Sequence, residues 1–242
     1  MSKKESNKTL LPWITGIMMV IAVAVLAAVY WNRNVTVQEL DFNKLTFTEK
    51  EEIEVAAAIP FGIKPDSLDL QAVADRVEDL IYVRSVSPYI EPSGDLRLTI
   101  SERRPIAMLI DGANRSYVDA EGVILPILVN KTRDVPLLYG YSVSAKDTLK
   151  DEPFLQVRDF LMKAKIDEFG WTTISEVAFD QTDGVVALSH ENGVKLIFGR
   201  NDFDMKLENW KAFYKQVVRT KGIRSMQQVD LRFSNQVVTR EI

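Results

Sequence analysis

From Leu10 to Trp31 the chain reads LLPWITGIMMVIAVAVLAAVYW, 22 residues without a charge. As a helix this run reaches about 33 Å at 1.5 Å per residue, enough for a bilayer core of about 30 Å. Trp13, Tyr30 and Trp31 stand near its ends, where interfacial aromatics sit, and Pro12 falls in the first turn, where it costs little. A cleaved signal peptide carries a shorter apolar run, of about 7 to 15 residues, and a small-residue cleavage site, whereas this run ends AAVYWNRN. The expectation is an uncleaved transmembrane helix over 10–31 behind a tail of residues 1–9. Lys3, Lys4 and Lys8 precede it and one Arg33 follows closely, which keeps the N-terminus cytoplasmic and places about 210 residues across the membrane.

The 242 residues are 46% hydrophobic and 26% charged, a composition that folds and that suffices for one large or two modest domains. The net charge of -4 gives no sign of a nucleic-acid binder. Residues 35–104 hold eight basic and 14 acidic side chains and form the acidic block of the chain. VTVQEL reads as a strand, and Thr48 with Glu51 as a capping box opening a helix. A second helix follows Ser67, with Leu70, Val73, Ala74, Val77 and Leu80 at helical spacing. YVRSVSPYI and DLRLTISERR read as strands joined at Glu91-Pro92-Ser93-Gly94. Strand, helix, helix, strand, strand over 35–104 resembles a POTRA domain, a small module that binds other chains.

Residues 105–242 change to strands with turns at Asp111-Gly112, Glu121-Gly122, Asp183-Gly184 and Asn192-Gly193. Two helices interrupt them. One runs from about Pro153 to Glu168, with Phe154, Val157, Leu161 and Ala164 on one face and Gly170 after its end. The other follows Asp202 as N-cap, carries Phe203, Leu207, Trp210, Tyr214 and Val217 on one face, and stops at Gly222. Its Lys211, Lys215 and Arg219 are read as a solvated face. The fold class is α+β: one N-terminal span, a POTRA-like βααββ domain, and a β-rich domain with two helices.

The chain closes with QQVDLRFSNQVVTREI. Val229, Leu231 and Phe233 alternate with Gln228, Asp230 and Arg232, so a first strand buries one face. Ser234 and Asn235 turn, and Gln236 to Arg240 pair back, leaving an edge with no sequence to cover it. Such edges attract other chains unless blunted, or unless the loop around Asp134 to Tyr141 covers this one.

Catalytic chemistry is poorly provided for. The chain has one histidine, His190 in LSHENG, and no cysteine, which argues against a triad, a zinc site and a thiol nucleophile. No glycine pattern matches a P-loop or dinucleotide fingerprint. Two placed carboxylates would serve a glycoside hydrolase, but nothing selects a pair among 34 acidic residues. The expectation is a non-enzymatic protein without cofactor or metal.

The uncharged run, the POTRA-like block, the junction SERRPIAML, then YVDAEGVILP and the ending through VDLRFSN resemble, in order, the FtsQ/DivIB family of bacterial division proteins. Glu102, Arg103, Pro105 and Ala107 and the run Val229 to Phe233 are the most specific parts. The resemblance implies a bitopic inner-membrane scaffold of the divisome, at the septum, that holds an FtsB/DivIC-like and FtsL-like pair and links it to septal peptidoglycan synthase. It implies that a partner strand adds to the last strand of the β domain, so the expected partner-binding residues are Arg232, Phe233, Asn235, Gln236, Val237, Val238, Thr239 and Arg240. Arg232 would supply a charge contact and Phe233 an apolar anchor. The alternative is a POTRA-containing export or envelope-assembly factor.

Overall fold

The computed structural model describes residues 10–142, 148–234 and 236–241; the tail expected over 1–9 lies outside them, as does Asn235. Helix α1, Leu10–Asn34, contains the uncharged run. Its described apolar side chains stand exposed, Trp13 at 75% and Met19 at 72%. Among the described residues no helix is long and apolar enough to cross a membrane. The chain divides into two compact units that part at Ser101 and Glu102, α1 belonging to the first.

After α1 the first unit runs β1 (Leu40–Phe42), α2 (Lys50–Ala57), α3 (Leu70–Glu78), β2 (Val83–Ile90), β3 (Leu96–Glu102), with sheet order β1-β3-β2. The strand expected at VTVQEL begins only at Leu40. The reason is local: Asp95 Oδ1 accepts the N–H groups of Gln38 and Glu39 (3.2 and 3.0 Å), so a side chain takes donors a ladder would use. Val37 is nevertheless fully buried, its N–H donating to Ile63 O and its carbonyl accepting from Gly62 N–H. Beyond β1 the Asn43 amide imitates a strand residue, donating to Ile100 O and accepting from Ile100 N–H.

Both helix starts lie later than the sequence pattern suggests. Glu52, three residues into α2, accepts the Glu49 N–H at 2.8 Å, in place of the Thr48 and Glu51 box. Asp69 caps α3 by accepting from Ala72 N–H (3.0 Å), while Ser67 belongs to a 3₁₀ turn. Arg76 closes the other end of α2 by donating to the carbonyls of Ala56 and Ala57. Ile53, Ala57, Val73, Ala74 and Val77 from the helices meet Val83, Leu96, Leu98 and Ile100 from the sheet in one core.

The second unit is built on a nine-stranded mixed sheet whose strands, in chain order, are β4 (Pro105–Asp111), β5 (Asn114–Asp119), β6 (Ile124–Leu125), β7 (Leu137–Tyr139), β8 (Ile174–Asp180), β9 (Gly184–Ser189), β10 (Lys195–Gly199), β11 (Met226–Asp230) and β12 (Val238–Glu241). Across the sheet they lie β12-β11-β10-β9-β8-β7-β4-β5-β6. Helices α4 (Glu152–Ile166) and α6 (Phe203–Phe213) contribute Phe154, Phe160, Leu161, Leu207 and Trp210 to its core, and half-buried Phe169 and Trp171 of α5 (Glu168–Thr173) pack against it. Two helices were expected here, and the first of them divides into α4 and α5, because Asp167 leaves helical geometry and caps α5, accepting from Phe169 N–H (3.3 Å). Gly170 therefore lies within a helix; a Cβ there would stand 3.2 Å from Leu207 Cδ2 and 3.4 Å from the Ala164 backbone.

Asp202 precedes α6 with left-handed backbone and makes no side-chain cap. After Phe213 a π-helical stretch, Tyr214–Val218, leads to a last turn that ends at Gly222 (φ +80°). The wider turn rotates the helix and buries Val218 to 4% exposure, where strict periodicity places Val217. Lys211 leaves the basic stripe to pair with Asp167 at 3.0 Å.

Candidate functional site

The strand β12 ends the nine-stranded sheet and pairs antiparallel with β11 alone, in the register Gln228↔Arg240, Val229↔Thr239, Asp230↔Val238. The loop around Asp134 to Tyr141 does not cover it: that segment contributes β7, which lies inside the sheet between β4 and β8. Glu241, which the sequence pattern left out of the edge, belongs to it.

The direction of each backbone group follows from one bond. Leu231 N–H donates to Ile197 O at 2.9 Å, and Ile197 is registered with Asp230 in the parallel β10–β11 pair. Backbone groups of successive strand residues point to opposite sides, so Val229 and Leu231 face β10 while Gln228 and Asp230 face β12. Their partners Arg240 and Val238 turn inward. Val237, Thr239 and Glu241 accordingly present N–H and C=O to the open side.

The side chains divide the other way. Val237 packs against the core, and half-buried Thr239 stands opposite fully buried Val229. Val238 is 44% exposed, and Gln236 and Arg240 are exposed. An incoming strand would find main-chain donors and acceptors along its length, one apolar side chain at Val238 and a cation at Arg240.

Arg232 and Phe233 sit in the bend after β11. Phe233 is 45% exposed; the inward alternation that includes Val229 and Leu231, both 0%, stops before it because β11 ends at Asp230. Arg232 is held within the chain. Its Nε and Nη2 donate to the Asp230 carboxylate (2.9 and 2.6 Å) and Nη1 donates to Asp183 (3.1 Å). Gly199 (φ +79°) makes room beneath, since a Cβ there would stand 3.2 Å from Arg232 Cγ. Its hydrogen bonds to Asp230, and the negative charge of Asp230 and Asp183, raise the Arg232 pKa. Burial opposes charge on Asp230, but the Arg232 bonds outweigh it and hold this carboxyl below its ordinary range. Arg232 thus fixes the bend into the edge strand, and Asp183 and Asp230, which sequence reasoning did not select, are its partners.

Elsewhere, Arg103 of the SERRP junction donates to Asp119 (2.9 Å) and Glu121 (2.7 Å), and Asp119 Oδ1 accepts the N–H groups of Glu121 and Val123. This motif is a structural clasp on the β5–β6 turn. His190 is exposed, with its backbone N–H bonded to Thr173 O. Among the described residues no group of three or more His, Cys, Asp or Glu is placed to hold a metal.

A model of the family "FtsQ/DivIB, C-terminal related" matches residues 104–240. The Cell division protein FtsQ of Rhodothermus marinus is 32% identical over 237 residues, covering 93% of this chain and 86% of that protein. That of Salinibacter ruber is 24% identical over 222 residues, covering 87% and 84%. Among solved structures, the major extracytoplasmic domain of the trans isomer of DivIB from Geobacillus stearothermophilus matches 49% of this chain and 97% of its own, at 22% identity and a TM-score of 0.34. With more than half its length matched by the family model and a relative above 30% identity over most of both chains, the chain belongs to the FtsQ/DivIB family of cell division proteins.

Proposed function

We propose that the chain is a non-enzymatic, membrane-anchored scaffold of the division machinery, and that β12 docks an FtsB/DivIC-like and FtsL-like complex by strand addition. The observation that carries this reading is the four-residue strand at the sheet end, paired on one side and presenting the backbone of Thr239 and Glu241 on the other. Main-chain bonds would supply affinity, and Val238, Arg240 and Phe233 would supply selectivity. Helix α1, whose described apolar side chains stand exposed, is the anchor, with the N-terminus cytoplasmic and the POTRA-like unit and β domain outside, at the septum. The complex held there would couple to septal peptidoglycan synthase. The relatives are named as cell division proteins, which favours this reading over an export or envelope-assembly factor.

The test compares three chains for recovery of the same organism's FtsB/DivIC-like and FtsL-like proteins: the natural one, one ending after Ser234, and Thr239→Pro. The proline removes one outward N–H and no internal ladder bond, a placement that edge strands tolerate. Loss of the partners from both altered chains supports docking at β12; full recovery by Thr239→Pro and the shortened chain places binding elsewhere.

A further inference from the structure

The sheet of the first unit also ends in a long strand paired on one side. β2 spans eight residues against four for β12 and closes the order β1-β3-β2, so by length it is the better template for another chain. Its outward groups can be assigned. Glu91 N–H donates to Asp95 O across the hairpin (2.9 Å), so the alternation from there turns Ile90, Pro88 and Val86 outward. Two of these, Val86 and Pro88, are closed. Val86 N–H donates to Glu78 Oε1 at 2.7 Å, the carboxylate arriving from the last residue of α3. Pro88 has no N–H to offer.

We propose that Glu78 is a specificity-determining residue: together with Pro88 it shuts the β2 edge against strand addition, so that an extended partner is directed to β12. This rests on the strand-docking reading of β12 and extends it to the edge that is refused. A strand laid on β2 would place its carbonyls opposite a proline and an amide already engaged, and would have to displace a charged acceptor. Proline and inward-leaning charge are the devices that protect exposed edges in general. Among the described residues the other sheet-end strands, β1 and β6, hold only three and two residues, so with β2 shut β12 is the longest edge left open.

The experiment uses the full chain in detergent micelles, with a second copy of the chain as the probe strand. Hydrogen exchange at Val86 is expected to rise roughly tenfold in Glu78→Ala and to return to slow exchange in Glu78→Gln, which keeps an acceptor oxygen. The double variant Glu78→Ala/Pro88→Thr restores both donors and is expected to self-associate with rising concentration, with new protection over residues 84–90. Slow exchange at Val86 in Glu78→Ala would overturn the assignment of Glu78. A freed amide with no self-association of the folded double variant would overturn its role as a closure. Because the assay contains no division partner and is read at residues 84–90, failure of the β12 reading would leave these outcomes unchanged.

Discussion

Arg103 and Asp119 make an ion pair that the start of the second unit depends on. Asp119 is 3% exposed, and its remaining oxygen already takes two backbone N–H groups. Removing one member of a buried pair strands the other, so Arg103→Ala is expected to cost about 3 kcal/mol, read as a lower urea midpoint at unchanged slope. Asp230 and Asp167, with Asp95 and Asp180, are the carboxyls held below their ordinary range, and so contribute to the response to acid. Burial works against charge on the first two, but hydrogen bonds from Arg232 and Lys211 respectively leave both pKa values depressed. A depressed carboxyl stabilises the fold fully above its unfolded value of about 3.9, and that contribution is lost as pH falls through the lower folded value. The natural chain should therefore lose thermal stability between about pH 5 and pH 2. Asp230→Asn should start lower at neutral pH and fall less over the same range, as melting curves across a pH series would show. Of these residues, the sequence alone points to Arg103 through its motif; Asp183 and Asp230 become visible as partners only when the sheet brings β9 and β11 around β10.

At the scale of elements, the edge strand has two faces with opposite tolerances. Val237→Asp would place a charge against the core and is expected to cost about 2 kcal/mol, while Val238→Asp, on the exposed face, should stay within about 0.5 kcal/mol. Parallel denaturation curves of the two variants check the split, which a strand rotated by one residue would reverse. Periodicity made much of the fold legible: the inward face of α4 is Phe154, Val157, Leu161 and Ala164 as spacing indicates, and each turn dipeptide lies at a connection between strands. Periodicity failed where a side chain substituted for backbone. Asp95 drew the donors of residues 38 and 39 away from a longer β1, and Asp167 divided one expected helix in two. The π-helical turn was illegible for a different reason, since one extra residue per turn leaves composition unchanged and only shifts which valine is buried.

Across the whole molecule the recurrent theme is which backbone remains unpaired. The edge position of β12 was expected from the sequence pattern and is seen in the sheet order, yet its outward residues required the Leu231–Ile197 bond and the ladder register. The blocked edge of β2 could not be read from sequence, since Glu78 lies eight residues from Val86 and nothing in the spacing joins them. On the proposed reading, a closed β2 and an open β12 would make docking by strand addition selective, the other sheet-end strands, β1 and β6, being only three and two residues long among the described residues. The measurement that tests this most directly is residue-resolved hydrogen exchange on the full chain, alone and with its FtsB/DivIC-like and FtsL-like partners. Thr239 and Glu241 should exchange freely in the lone chain and become protected in the complex, while Val238 and Arg240 are protected in both. A complex that forms while Thr239 and Glu241 remain as exchangeable as before would contradict strand addition at β12.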